Sequence, residues 1–99
     1  MYVYVKIYGR SDDLIIAICD EELLGSVFKE GDVILDVSRE FFGGSKMLIE
    51  DSIQLLNNAS SAILVGSNIV SKALEAGYIH PDAVSRISEI PYAYIIKLS

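Results

Sequence analysis

Leu14-Ile15-Ile16-Ala17-Ile18-Cys19-Asp20-Glu21-Glu22-Leu23-Leu24-Gly25 is the stretch on which the fold turns. Its first six residues are apolar on both faces of an extended chain, which fits an internal strand covered from both sides. The run stops abruptly at three acids. Asp20 is placed to cap a short helical turn over Glu21 to Leu24, because its carboxylate can accept orphan N–H groups there. Gly25 supplies a left-handed exit. Just upstream, Tyr2 to Tyr8 alternates strictly, with Val3, Val5 and Ile7 on one face and Tyr2, Tyr4, Lys6 and Tyr8 on the other, the pattern of a half-buried strand. Gly9-Arg10-Ser11-Asp12-Asp13 is a turn cluster, so the two strands read as a hairpin.

Downstream, Glu30-Gly31-Asp32 reads as a turn, Val33 to Val37 as a short strand, and Phe41-Phe42-Gly43-Gly44 as a loop anchored by aromatics. Ile49, Ile53 and Leu56 recur at helical spacing, with Glu50 and Asp51 in the first turn, where the helix dipole favours them. Ser67 reads as the N-cap of a second helix with Ile69, Val70, Ala73 and Leu74 inward. Gly77 ends it, with Tyr78 packing back over Ala73 as in a Schellman termination. Ala62 to Gly66 is either a short strand or a buried continuation. Val84 to Ser88 and Tyr92 to Leu98 return to strand, and Pro91, which cannot donate to a ladder, belongs at a strand start or an edge. The expected fold is an α+β two-layer sandwich, two helices on one face of a mixed or antiparallel sheet. Its expected core includes Val3, Val5, Ile7, Leu14, Ile16, Ile18, Ile53, Leu56, Ile69, Val70 and Leu74.

Residues 1–99 read as a single domain, long enough to bury about two-thirds of the unfolded surface. Hydrophobic residues make up 52% of the chain and mean hydropathy is +0.40, so the excess apolar content belongs to a dense core or to a partner interface. The longest apolar run, Leu14 to Cys19, is far short of the roughly 20 residues that cross a bilayer. No basic region precedes an apolar block at the N-terminus, so no signal peptide is read there. A lone cysteine forms no internal disulfide, which favours a reducing, cytoplasmic setting. Net charge is −6, from 8 basic and 14 acidic residues. That balance counts against nonspecific binding to phosphate backbones.

In order and spacing, Cys19 to Gly25, Phe28-Lys29-Glu30-Gly31-Asp32, Phe42-Gly43-Gly44, Leu64-Val65-Gly66 and Ile90-Pro91-Tyr92-Ala93 resemble a small archaeal family, domain of unknown function 424. The resemblance covers nearly the whole chain. It marks Asp20, Glu21, Glu22, Gly25, Glu30, Gly31, Phe42, Gly43, Gly44 and Pro91 as motif positions, and it implies an RNA-binding or translation-associated role. One departure stands out: where that family usually has His-Ala-Gln after the proline, this chain has Tyr92-Ala93-Tyr94.

Candidate chemistry is sparse. Asp20, Glu21 and Glu22, with Asp12 and Asp13, could bind a divalent cation through oxygen, but they lack the interleaved spacers of a metal loop, and no metal site is assigned. Cys19 and His80 could pair as nucleophile and base. The three acids after Cys19 would keep its thiol protonated, so an enzyme is the least favoured class, and no cofactor is implied. Gly31 and Gly43-Gly44 do not follow the spacing of a phosphate loop. The tyrosines offer more. If the terminal strands pair, Tyr2, Tyr4, Tyr8, Tyr92 and Tyr94 line one open sheet face beside Lys6 or Lys97, the way sheet modules stack single-stranded RNA. The competing reading has the same residues covering helices or a dimer interface. The leading expectation is a non-enzymatic binding module for RNA or a translation complex. The alternative is a protein-interaction or homodimeric subunit.

Overall fold

The computed structural model describes residues 1–10 and 12–97. Ser11 in the first turn cluster, and Leu98 at the end of the last expected strand, lie outside the described residues. Tyr2–Arg10 (β1) and Asp13–Asp20 (β2) form the expected antiparallel hairpin. A 3-10 turn, Glu21–Leu23, leads into a second hairpin, Val27–Glu30 (β3) with Val33–Asp36 (β4). Arg39–Phe42 (α1) is a single helical turn, Ser45–Leu48 (β5) a short strand, and Ile49–Leu55 (α2) a helix. Ala59–Val65 (β6), Ser67–Glu75 (α3), Ser85–Ile87 (β7) and Ile90–Ile96 (β8) complete the chain. The fold is α+β.

Six strands form one mixed sheet in the order β5-β1-β2-β6-β8-β7, and β3-β4 is a separate ribbon. Only β2 and β6 run parallel. Ala62 to Val65 thus belong to a central strand and Gly66 leads into α3, and it is the apolar continuity of both β2 and β6 that lets them sit covered on both faces. Helices α2 and α3 cover one face over Val3, Val5, Ile16, Ile18, Leu64, Ile69 and Val70. Ile53 and Leu56 are buried there as expected, Leu14 and Leu74 only in part. Ile7, expected inside, is 49% exposed. The pairing of β5 reaches only Tyr2 to Val5, and β1 runs on past the packed layer toward the hairpin tip. No helix among the described residues is long and apolar enough to cross a membrane.

The opposite face carries a second core of Ala17, Cys19, Leu35, Val37, Phe42, Val65 and Ile87. The short strand expected at Val33 to Val37 supplies Leu35, and other segments that the sequence pattern does not announce complete it. Phe41-Phe42 lies in a helical turn rather than a loop, because the Ser38 hydroxyl accepts from Phe41 N–H at 3.1 Å and caps it. Phe28 belongs to a strand, and Ser45 to Leu48 completes the sheet edge. The β3–β4 ribbon is latched through Glu30, whose carboxylate accepts from Ser88 N–H at 3.0 Å, while the Ser88 hydroxyl donates to Lys29 C=O at 2.8 Å. Ser88 and Glu89 both have positive φ, which makes a tight two-residue β7–β8 turn whose twist matches the strands.

The α3 termini show one expectation met and one corrected. Tyr78 N–H reaches Ala73 C=O at 2.9 Å and Gly77 N–H reaches Leu74 C=O at 3.1 Å, with Gly77 at φ +81. That is the Schellman pair. At the other end Ser67 is not the cap. Asp20 is: its Oδ2 accepts from Asn68 N–H and its Oδ1 from Ile69 N–H, each at 2.9 Å. Asp20 makes no side-chain cap to the Glu21–Leu23 turn. The parallel register, with Cys19 beside Val65, sets the end of β2 against the start of α3, and the carboxylate serves the longer helix.

Candidate functional site

Cross-strand register decides which side chains share a face. Tyr4 is opposite Cys19, Lys6 opposite Ala17, and Tyr8 opposite Ile15. Tyr92 is opposite Val65 and Tyr94 opposite Ile63. All the strand tyrosines therefore lie on the face away from α2 and α3. The terminal strands do not pair, however: β2 and β6 stand between β1 and β8. The phenols form two groups rather than one platform, with isoleucines between them.

Much of this aromatic set is already engaged. Tyr4, Tyr8 and Tyr92 pack against the second core. Tyr8 stacks on Phe41 at 5.3 Å between ring centres and donates to Phe41 C=O at 2.7 Å. The Lys6 ammonium donates to Glu40 C=O and lies over the Tyr8 ring. Lys46 pairs with Glu21, which holds it above its ordinary range, and covers Tyr2 at 5.1 Å. Lys97 is on the other face. Its ammonium donates to the carbonyls of Leu56 at 2.6 Å and Asn57 at 3.0 Å. Its parity on the strand puts it with Ile95, away from the tyrosines.

What stays open is apolar. A shallow groove of about 340 Å³ is lined by Ile15, Phe41, Ile63, Tyr94 and Ile96. Tyr94 is 60% exposed and Ile96 72%. Tyr92 meets Tyr94 edge to face at 6.1 Å and fixes its base. Here α1 and the β3–β4 ribbon leave the sheet uncovered. Ile15, Phe41, Ile63 and Ile96 were absent from the expected site. The surplus apolar composition and the two-faced apolar run of β2 were the available signals.

Several motif positions have contacts within the fold. Asp20 is 1% exposed beneath α3, and burial lifts its carboxyl above the ordinary range against the pull of the Asn68 and Ile69 N–H groups. Glu22 is exposed. Gly25 N–H donates to Val37 C=O at 2.7 Å, and Gly31 sits at the tip of the ribbon. Phe42 is buried, and Gly43 N–H closes α1 on Arg39 C=O. At Gly44 the chain crosses the β1 backbone so closely that a Cβ would lie 2.9 Å from Lys6 Cα. Pro91 is the second residue of β8, opposite Arg86 of the edge strand. Its carbonyl accepts from Gly66 N–H at 2.9 Å, and Gly66 C=O is taken by Val70 N–H, so no ladder donor is missed there.

Cys19 and His80 occupy unlike places, one in the core and one in an exposed turn. The Cys19 thiol is fully buried, and burial, with Asp20 and Glu22 adding to it, pushes its pKa to about 12. His80 Nδ1 accepts from Asp82 N–H at 3.1 Å in an exposed turn, as the cap of the 3-10 turn Pro81–Ala83. Among the described residues no group of three or more His, Cys, Asp or Glu side chains is placed to hold a metal ion. Cys19 is expected to resist a thiol reagent such as DTNB in the native state and to react only as the chain unfolds. Modification at neutral pH faster than global unfolding would refute this.

The fold is similar to the crystal structure of an uncharacterized conserved protein from Methanopyrus kandleri. The TM-score is 0.81 at 24% identity, over 100% of this chain and 96% of that one. No curated protein matches the chain. The family model described as protein of unknown function (DUF424) matches residues 8–98, and with that span the chain belongs to the DUF424 family.

Proposed function

We propose that the protein is a non-enzymatic binding module that docks another protein on the open half of its sheet. The observation that carries this reading is the composition of the exposed groove: Ile15, Phe41, Ile63 and Ile96 around a single exposed tyrosine, Tyr94. A base-stacking platform needs several free rings with cations beside them. Here Tyr4, Tyr8 and Tyr92 are engaged in packing, and Lys6, Lys46 and Lys97 are bonded within the chain. An aliphatic groove with an aromatic rim suits an apolar protein segment instead. The RNA reading, which the family resemblance suggested, keeps one supporting observation, the exposed Tyr94 ring.

Native-extract pull-downs with and without RNase separate the two readings, using the parent chain and a Tyr94→Asp, Ile96→Asp variant. Capture that survives RNase and is lost in the variant is expected. Capture abolished by RNase, or steep loss of single-stranded RNA binding with added salt, would favour RNA. Stability provides a control. Tyr94→Ala is expected to cost under about 1 kcal/mol, since an exposed ring buries little area. Tyr4→Ala, half-buried in the second core, should cost about 3 kcal/mol by urea denaturation.

A further inference from the structure

The sheet that floors the groove ends in a free edge. Pro91 C=O accepts from Gly66 N–H, and Lys97 N–H donates to Ser60 C=O at 2.9 Å, so odd-numbered residues of β8 turn their backbone groups toward β6. Tyr94 and Ile96 therefore turn theirs outward. On that side β7 reaches only as far as Ser85, opposite Tyr92. Val84 packs against the helix-side core and its N–H bonds back to Pro81 C=O at 3.2 Å, so the chain comes to β7 from the helix side. Among the described residues no strand lies beyond Tyr94 and Ile96. Ala93-Tyr94-Ile95-Ile96 carries no charge, proline or glycine, the devices that usually blunt an exposed edge.

This edge is complementary to itself. Turned about an axis through Ile95 and normal to the sheet, a second β8 runs antiparallel to the first. Tyr94 then stands opposite the partner's Ile96, and Ile96 opposite the partner's Tyr94. All of these residues face outward, so each pair exchanges both of its N–H···O bonds and the free groups of Tyr94 and Ile96 are all matched. A register shifted toward Tyr92 would waste half of them, because Tyr92 already faces Ser85. The same rotation sets an aromatic ring against a β-branched side chain in both pairs, a favourable cross-strand contact. Tyr94 and Ile96 are also the most exposed side chains lining the groove. Charge favours no other occupant. No ionised side chain lines the groove, and at the β7 end Asp82 and Arg86 offer one charge of each sign. The net charge of −6 on each copy acts at a distance, where salt screens it beyond about 10 Å.

Resting on the protein-docking reading above, we infer that the free edge of β8 pairs with β8 of a second copy, antiparallel about Ile95, so that one sheet runs through both copies. The axis leaves the two grooves on the same face, and the Tyr94–Ile96 pairs join them into one apolar floor. The second copy thereby completes the docking site, each copy contributing Ile63, Tyr94 and Ile96. Two outward residues per strand make an interface below the standard size of about 1,600 Å², so association is expected at micromolar rather than nanomolar concentration.

Sedimentation equilibrium over micromolar to millimolar loading tests this on the purified chain. A monomer–dimer equilibrium is expected, with hydrogen exchange at the Tyr94 and Ile96 amides slowing as the dimer fills. Added salt should tighten it, since two acidic copies repel less when screened. Two variants, both at exposed positions that leave the fold intact, read the register. Tyr94→Glu, Ile96→Glu sets like charges opposite each other and should weaken association roughly tenfold or more. Tyr94→Lys, Ile96→Glu sets opposite charges across both pairs and should associate more tightly than the first variant. A monomer at every concentration, a dimer with unchanged exchange at those two amides, or equal weakening in both variants would overturn edge pairing. RNase-resistant capture of a partner by a chain that stays monomeric would then leave the docking reading standing, and absence of capture would overturn both.

Discussion

Replacing Asp20 by alanine is expected to lower the unfolding free energy by about 3 kcal/mol. The carboxylate is 1% exposed and accepts from both Asn68 and Ile69 N–H at 2.9 Å. A surface cap is worth roughly 1 kcal/mol. Here truncation also leaves buried donors unsatisfied, at about 1–3 kcal/mol each when nothing replaces the partner. For a domain of this size the melting temperature should fall on the order of 15 °C. Urea and thermal denaturation measure it, and a loss below about 1 kcal/mol would mean that water caps α3 adequately. The same group carries a pH signature. Burial raises its carboxyl in the folded state, with Glu22 adding to the lift, and the two N–H donors oppose this. The folded chain therefore holds this proton to higher pH than the unfolded chain, where a carboxyl titrates near about 3.9. The proton-linked part of Asp20's contribution is full below that value and is lost as pH rises through the raised folded value, leaving the two accepted N–H bonds that Asp20→Ala removes. Relative to Asp20→Ala, which has nothing to titrate at that position, the parent should lose stability on moving from about pH 4 upward. A flat difference between the two would contradict the raised carboxyl.

Gly66→Ala is expected to cost about 4 kcal/mol and can prevent folding outright. Gly66 has φ +121, a conformation that costs an L-residue about 1–3 kcal/mol. A Cβ there would fall on the Asp20 carboxylate and lie 2.8 Å from Asp20 Cβ. Forcing an extra methyl into a packed site adds about 1–3 kcal/mol. The two terms share one neighbour, so a double-mutant cycle is informative. In an Asp20→Ala background the carboxylate is gone, and Gly66→Ala should cost less than in the parent, with only the backbone strain and the residual Cβ contact left. Strict additivity would show that the collision is relieved elsewhere, by a shift of α3.

Local pattern accounts for several features of the fold. The Tyr2–Tyr8 alternation and the apolar Leu14–Cys19 run define the first hairpin, because period-two burial and two-sided burial leave direct marks on composition. Helix α2 and the Schellman end of α3 follow from spacing and from Gly77, which are local properties. The α+β class comes from the order of these elements. The strand order does not, since pairing β2 with β6 in parallel joins residues 45 or more positions apart, and no local pattern encodes which distant strand is the neighbour. That pairing carries Asp20 away from the turn beside it in sequence and under α3 instead. It also inserts two strands between the tyrosines of β1 and β8, so the expected aromatic platform is an aliphatic groove with a tyrosine rim. Composition by itself showed an apolar excess, to be placed in a dense core or at a partner interface. Only the tertiary structure decided where, because exposure depends on where α1 and the β3–β4 ribbon stop covering the sheet.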